Sequence, residues 1–209
     1  MGTTRFSHIL VIGLILLALP LFSMAQDSIL KGCKEYTPDA EFIAKLEANN
    51  RINELQCKFR EVKHISVLAQ EVIGHGIFRF RDGEMRLEYK QPSGNLIVIG
   101  KEKFTVVSNG KKSVIGMEAN PMMKQFKGML GATMGGTIEM FGKESDIKYY
   151  TRNSEYVIVI APSDKRTSRH LQKIVLVFDS NDMTLNELAM YQSETDFTHY
   201  TFTGKKITL

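Results

Sequence analysis

The side chains able to do covalent or metal chemistry are few and poorly spaced for it. Five histidines occur, His8, His64, His75, His170 and His199, and no two stand at the i, i+2 or i, i+4 spacing that places imidazoles on one metal. No H-E-x-x-H frame, G-x-S-x-G elbow, P-loop or dinucleotide fingerprint is present. The glycine-rich stretch from Gly128 to Gly136 lacks the Gly-Lys-Ser/Thr that cradles phosphate. Asp179-Ser180-Asn181-Asp182 opens like a calcium loop, but Met183 and Met190 stand where oxygen ligands belong, so it reads as a turn. Glu84, Glu88, Glu102 and Asp146 read as solvated strand faces. No catalytic residue, metal site or cofactor is assigned, and the chain reads as a non-enzyme.

Cys33 and Cys57 remain. An even pair in an oxidising compartment reads as a disulfide. The rival is acylation, since Leu30-Lys31-Gly32-Cys33 superficially resembles a lipobox, although Lys31 and the polar Gln26-Asp27-Ser28 interrupt the apolar run such a signal needs.

The compartment comes from the N-terminus. Arg5, an apolar run from Ile9 to Phe22, and Ser23-Met24-Ala25 have the form of a secretory signal cleaved after Ala25, and the run is too short for a membrane span of roughly 20 residues. The expected organisation is a signal at 1–25 and one domain at 26–209, located in the periplasm. Of 209 residues, 43% are hydrophobic and 24% charged, which is ordinary globular composition. Without residues 1–25 the chain carries 26 Lys+Arg against 23 Asp+Glu, too weak a basic excess for a nucleic-acid footprint.

The elements follow from periodicity. Thr37-Pro38-Asp39 announces a helix that carries Phe42, Ile43 and Leu46 on one face. From Cys57 the period becomes two, with Cys57, Phe59 and Glu61 alternating against Lys58, Arg60 and Val62. Strands are expected at 57–63, 67–73, 75–81, 84–90, 95–100, 103–108, 112–117, 137–141, 145–150, 155–161, 172–178, 184–192 and 197–203. Asp82-Gly83, Asn109-Gly110 and Asn153-Ser154 supply hairpin turns between them. Runs such as Tyr156-Val157-Ile158-Val159-Ile160 are apolar on both faces, which requires a dry neighbour on each. The expected fold is mainly β with covering helices: an incomplete, strongly curved antiparallel barrel.

Residues 118–136 interrupt the strands. Asn120-Pro121 starts a short helix with Met122, Met123, Phe126, Met129 and Leu130 at helical spacing, followed by glycines. Six of the nine methionines beyond residue 25 fall between Met117 and Met140. Such a stripe suits either a core plug or a movable lid that repacks around varied apolar ligands.

The segment Gly76-Ile77-Phe78-Arg79-Phe80-Arg81-Asp82-Gly83-Glu84-Met85-Arg86-Leu87-Glu88-Tyr89-Lys90-Gln91-Pro92 resembles the signature of the LolA-like family of periplasmic outer-membrane lipoprotein carriers, and Leu96 to Phe104 resembles that family's next hairpin. Asp82 stands where the family has a turn proline, and Leu87 where tryptophan is common. The resemblance implies a hydrophobic cavity closed by a helical lid. In it acylated lipoproteins, or another lipid, would travel from an inner-membrane donor complex to an outer-membrane acceptor.

On that reading the cavity residues are Phe78, Phe80, Met85, Leu87, Ile97, Ile99, Val157, Val159, Leu176 and Phe178. The lid residues are Met122, Met123, Phe126, Met129 and Leu130, with Arg81 as a possible latch and Arg79 as a less well aligned substitute. The protein would act as a monomer with no nucleic-acid partner. The alternative is an envelope sensor of related fold that binds lipoprotein or glycolipid without transporting it.

Overall fold

The structure is a computed structural model and describes residues 28–48, 52–116, 145–163, 165 and 167–208. The expected signal at 1–25, the strand at 137–141 and the lid residues Met122, Met123, Phe126, Met129 and Leu130 lie outside the described residues. The chain divides into two compact units, Met1–Lys31 and Gly32–Leu209. Of the first, the described part is a 3-10 turn, Ser28–Leu30, and the residue after it.

Among the described residues, the second unit is built on one antiparallel sheet of twelve strands. In chain order these are β1 (Lys34–Glu35), β2 (Glu54–His64), β3 (Val72–Arg81), β4 (Glu84–Gln91), β5 (Leu96–Ile99), β6 (Lys103–Ser108) and β7 (Lys111–Gly116), then β8 (Ser145–Arg152), β9 (Glu155–Pro162), β10 (Lys173–Asp179), β11 (Leu185–Tyr191) and β12 (Phe197–Thr208). Their order across the sheet is β1-β8-β9-β10-β11-β12-β2-β3-β4-β5-β6-β7, and among the described residues the sheet does not close. Two meanders, β2 to β7 and β8 to β12, are joined at the centre by the long pairing of β12 with β2, from Phe197↔His64 to Thr208↔Glu54.

Turn chemistry sets the register. Asp82 and Gly83 both have positive φ (52° and 76°), as do Asn109 and Gly110 (50° and 74°), the geometry of the tight hairpin turns that match strand twist. One α-helix is described, α1 (Ala40–Ala48). It starts two residues later than Thr37-Pro38 suggests, because Asp39 is the cap: its Oδ1 accepts the Phe42 amide at 2.8 Å. That bond is the main reason the Asp39 carboxyl is held below its ordinary value. The helix buries Phe42, whose ring packs edge-on against Tyr149 of β8 and Tyr156 of β9 at 5.9 and 4.9 Å.

A separate strand at 67–73 does not form. Lys63 pairs directly with Val72, so residues 65–71 become the β2–β3 connection. The apolar letters there mislead because they lack period-two alternation; Val67 is 87% exposed.

Candidate functional site

Because β-strand side chains alternate, register assigns each residue to one of two faces. Three cross-strand rows define the inner face of the first meander. One runs Leu55, Phe80, Met85, Ile99, Phe104; the next Cys57, Phe78, Leu87, Ile97; the third Phe59, Gly76, Tyr89. In the second meander the rows are Tyr156, Phe178, Leu185; then Ile158, Leu176, Leu188, Tyr200; and Ile160, Ile174, Met190. All belong to one hydrophobic cluster or pack against it, save Gly76, which has no side chain.

The join is aromatic, with Phe78 edge-on to Phe202 at 5.5 Å and Phe59 tilted against Tyr200 at 6.2 Å. Each fully buried Phe, Leu or Ile contributes roughly 1.5–3 kcal/mol. The product is a broad apolar wall built from both halves of the sheet.

Eight of the ten expected cavity residues share this wall: Phe78, Phe80, Met85, Leu87, Ile97, Ile99, Leu176 and Phe178. Val157 and Val159 do not. They pair with Val177 and Val175, while the residues between and beside them on the inner face are Ile158, Ile160 and Tyr156. The parity is off by one because β9 carries five successive apolar residues and no polar letter marks its outer side.

The opposite face of β2 to β4 is charged. Arg79 donates to Gln56 Oε1 at 3.1 Å and to Glu88 Oε2 at 2.6 Å, and Arg86 donates to Glu88 Oε1 at 2.6 Å. The Arg86 bond, then the Arg79 bond, hold the Glu88 carboxyl below its ordinary value. Arg81 is on this side too. Its side chain is 72% exposed, it lies 3.7 Å from the Asp82 carboxylate, and it borders an open depression of about 670 Å³ with Glu84, Lys101 and Lys103. A latch role for Arg81 depends on lid residues outside the described ones.

Farther along, His199 Nε2 is 2.8 Å from Glu187 Oε2, and Arg152 bridges Glu187 at 3.4 Å and Glu155 at 2.8 Å. The His199 hydrogen bond is the largest cause of Glu187's lowered pKa. A lowered folded-state pKa gives stability that is present above the unfolded value, about 4.3, and lost as pH falls through the folded one. Urea midpoints measured from pH 6 to pH 3 are therefore expected to fall less steeply for Glu187→Gln than for the wild type. Parallel curves would contradict this.

Cys33 and Cys57 are not bridged. Cys33 leads into β1 and Cys57 lies on β2, six strand positions away in the sheet order. Neighbouring strands are about 4.8 Å apart and a disulfide needs Cα atoms within about 7 Å. Cys57 is buried against Phe78, and burial pushes its thiol up to about 12. Without reductant at pH 8, Cys57 should resist iodoacetamide in the native protein and react fully in guanidinium. A need for reductant before that reaction would restore the disulfide.

Sequence alternation marks Glu61 only by its parity. It lies in the same inner row as Leu188 and Tyr200 and is 3% exposed. Its Oε1 accepts the hydroxyls of Tyr200 at 2.5 Å and Tyr89 at 3.0 Å, with Lys63 Nζ at 3.2 Å. Burial is the first cause, and nearby Glu61 a further one, of the raised pKa of both phenols, which keeps them protonated donors.

Among the described residues no group of three or more His, Cys, Asp or Glu could hold a metal, and no helix is long and apolar enough to cross a membrane.

No protein-family model and no curated protein sequence matches the chain. Solved structures do. A LolA superfamily protein from Nitrosomonas europaea is 9% identical over 79% of this chain and 92% of its own, with a TM-score of 0.39. An outer membrane lipoprotein-sorting protein domain from Vibrio parahaemolyticus is 10% identical over 80% and 91%, at 0.41. The MucA/MucB complex of Pseudomonas aeruginosa matches at 11% identity over 79% of this chain and 56% of that one, at 0.46, so this chain spans about half of that relative's length.

Proposed function

We propose that the protein is a periplasmic carrier that holds the acyl chains of lipoproteins, or a related lipid, against its inner apolar wall and shuttles them from an inner-membrane donor to an outer-membrane acceptor. The observation that carries this reading is the wall itself: rows of Phe, Leu, Ile and Met from β2–β5 and β9–β11 on one face of a single open sheet. The resemblance at residues 76–92 points the same way.

The physical task is demanding. At about 0.8 kcal/mol per methylene, one sixteen-carbon chain exposes on the order of 12 kcal/mol of hydrophobic free energy to water. A wall of interdigitating aliphatic and aromatic side chains offers that surface a dry neighbour. Met85 and Met190, unbranched and adaptable, suit chains of varied length. On this reading residues 122–130 form the lid and Arg81 a latch, and the signal at 1–25 takes the chain to the periplasm.

The test is transfer of a labelled triacylated lipoprotein from inner-membrane vesicles to acceptor vesicles. A carrier binds it and delivers it. Binding without delivery would identify a sensor, and absence of any acyl-bearing species by native mass spectrometry would sink both.

A further inference from the structure

A buried carboxylate is out of place in a wall built to hold acyl chains, and its hydrogen bonds are unevenly spread. All three groups that reach Glu61, the hydroxyls of Tyr89 and Tyr200 and the Lys63 ammonium, converge on Oε1. Among the described residues no donor reaches Oε2, although the side chain is 3% exposed. A buried carboxylate oxygen with no donor costs on the order of 1–3 kcal/mol or more.

The neighbouring strand keeps that oxygen clear. Gly74 is the inner-face partner of Glu61 on β3, and a Cβ at this position would come to 3.1 Å from Oε2 and 3.1 Å from the Tyr89 ring. Its backbone has no positive φ, so the conformation does not call for glycine. What the missing side chain leaves free is the space directly against Oε2 and the Tyr89 ring.

We propose that Glu61 Oε2 is a polar subsite of the inner wall that accepts a hydrogen bond from the amide N–H of an N-linked acyl chain. This rests on the carrier reading. Three properties select that donor. The subsite adjoins apolar residues, so the group it meets must lie where an acyl chain ends. Lys63 already balances the Glu61 charge, so a neutral donor adds no buried charge whereas a second cation would. An ester at the acyl junction has no N–H to offer; an amide does.

The inference predicts discrimination between two ligands that differ in one atom, N-palmitoylglycine methyl ester and O-palmitoylglycolic acid methyl ester. By equilibrium dialysis the wild type should favour the amide by at least about tenfold, the worth of one hydrogen bond to a charged acceptor. In Glu61→Gln the side-chain oxygen stays with the tyrosine hydroxyls and Nε2, a donor, faces the amide, so the ratio should fall to about one. Gly74→Ala, which places a methyl group in the gap while leaving the carboxylate, should do the same and serves if the first variant does not fold. A wild-type ratio below about two, or a preference that survives both substitutions, would overturn this subsite while leaving the carrier reading intact. If neither ligand binds the wild type, the carrier reading fails and takes the subsite with it.

Discussion

Gly76→Ala is expected to lower stability by at least about 3 kcal/mol, read as a shift of the urea midpoint at unchanged slope. The cause is backbone against backbone. A Cβ at Gly76 would stand 1.9 Å from the Glu88 carbonyl oxygen, 2.8 Å from its carbon and 2.8 Å from Phe59 Cε1. A carbonyl held in the β3–β4 ladder cannot swing aside as a side-chain tip can. The position is also where the β3–β4 register shifts, between His75 and Gly76, so the two strands come together at a bulge. Gly100→Ala is the control: its Cβ would meet Lys103 O at an ordinary 3.4 Å, and its effect should be small. Equal midpoints for the two variants would show that the close approach at Gly76 does not hold in solution.

The second large effect is expected at Phe178. It is 1% exposed and sits in the inner row between Tyr156 and Leu185. Truncation to alanine removes the ring and leaves its lining without partners, a loss of about 3–5 kcal/mol. Phe178→Leu, which keeps most of the volume, should recover much of it. Val159→Ala, on the opposite face of the adjacent strand, should change the midpoint far less. If Val159 proved the more costly position, the face assignment of β9 and β10 would be inverted.

How much of the fold is legible in the letters depends on where polar residues interrupt the apolar ones. In β3, Arg79 and Arg81 alternate with Phe78 and Phe80, so alternation alone identifies the inner face. In β9, Tyr156 to Ile160 offers no such marker, and the parity expected for Val157 and Val159 is the wrong one. Turns are the most legible feature, since Asp-Gly and Asn-Gly encode their own positive φ angles. The stretch 67–73 reads as a separate strand, yet its last two residues open β3 and residues 67–71 fall in the connection.

The thiols mislead in a different way, because pairing depends on a sheet order that sets β12 beside β2 and leaves β1 far from both. Glu61 is legible in position and illegible in meaning. Alternation with Lys58 and Arg60 puts it inward, but only the convergence of two tyrosines from β4 and β12 shows a carboxylate with one satisfied oxygen.

The pairing of β12 with β2 also dictates the order in which the molecule can assemble. Each meander is made of neighbours in sequence and can form hairpin by hairpin, with little loop to close. The central seam joins residues about 150 positions apart, as Glu54↔Thr208 does, and loop-closure entropy must be met before any of its contacts are gained. Until β12 has been made, β2 stands as an edge with Phe59 and Cys57 uncovered on one side. The chain should therefore fold late and as a whole, with a slow phase that Phe202→Ala, at the seam, lengthens more than Phe104→Ala, within a meander.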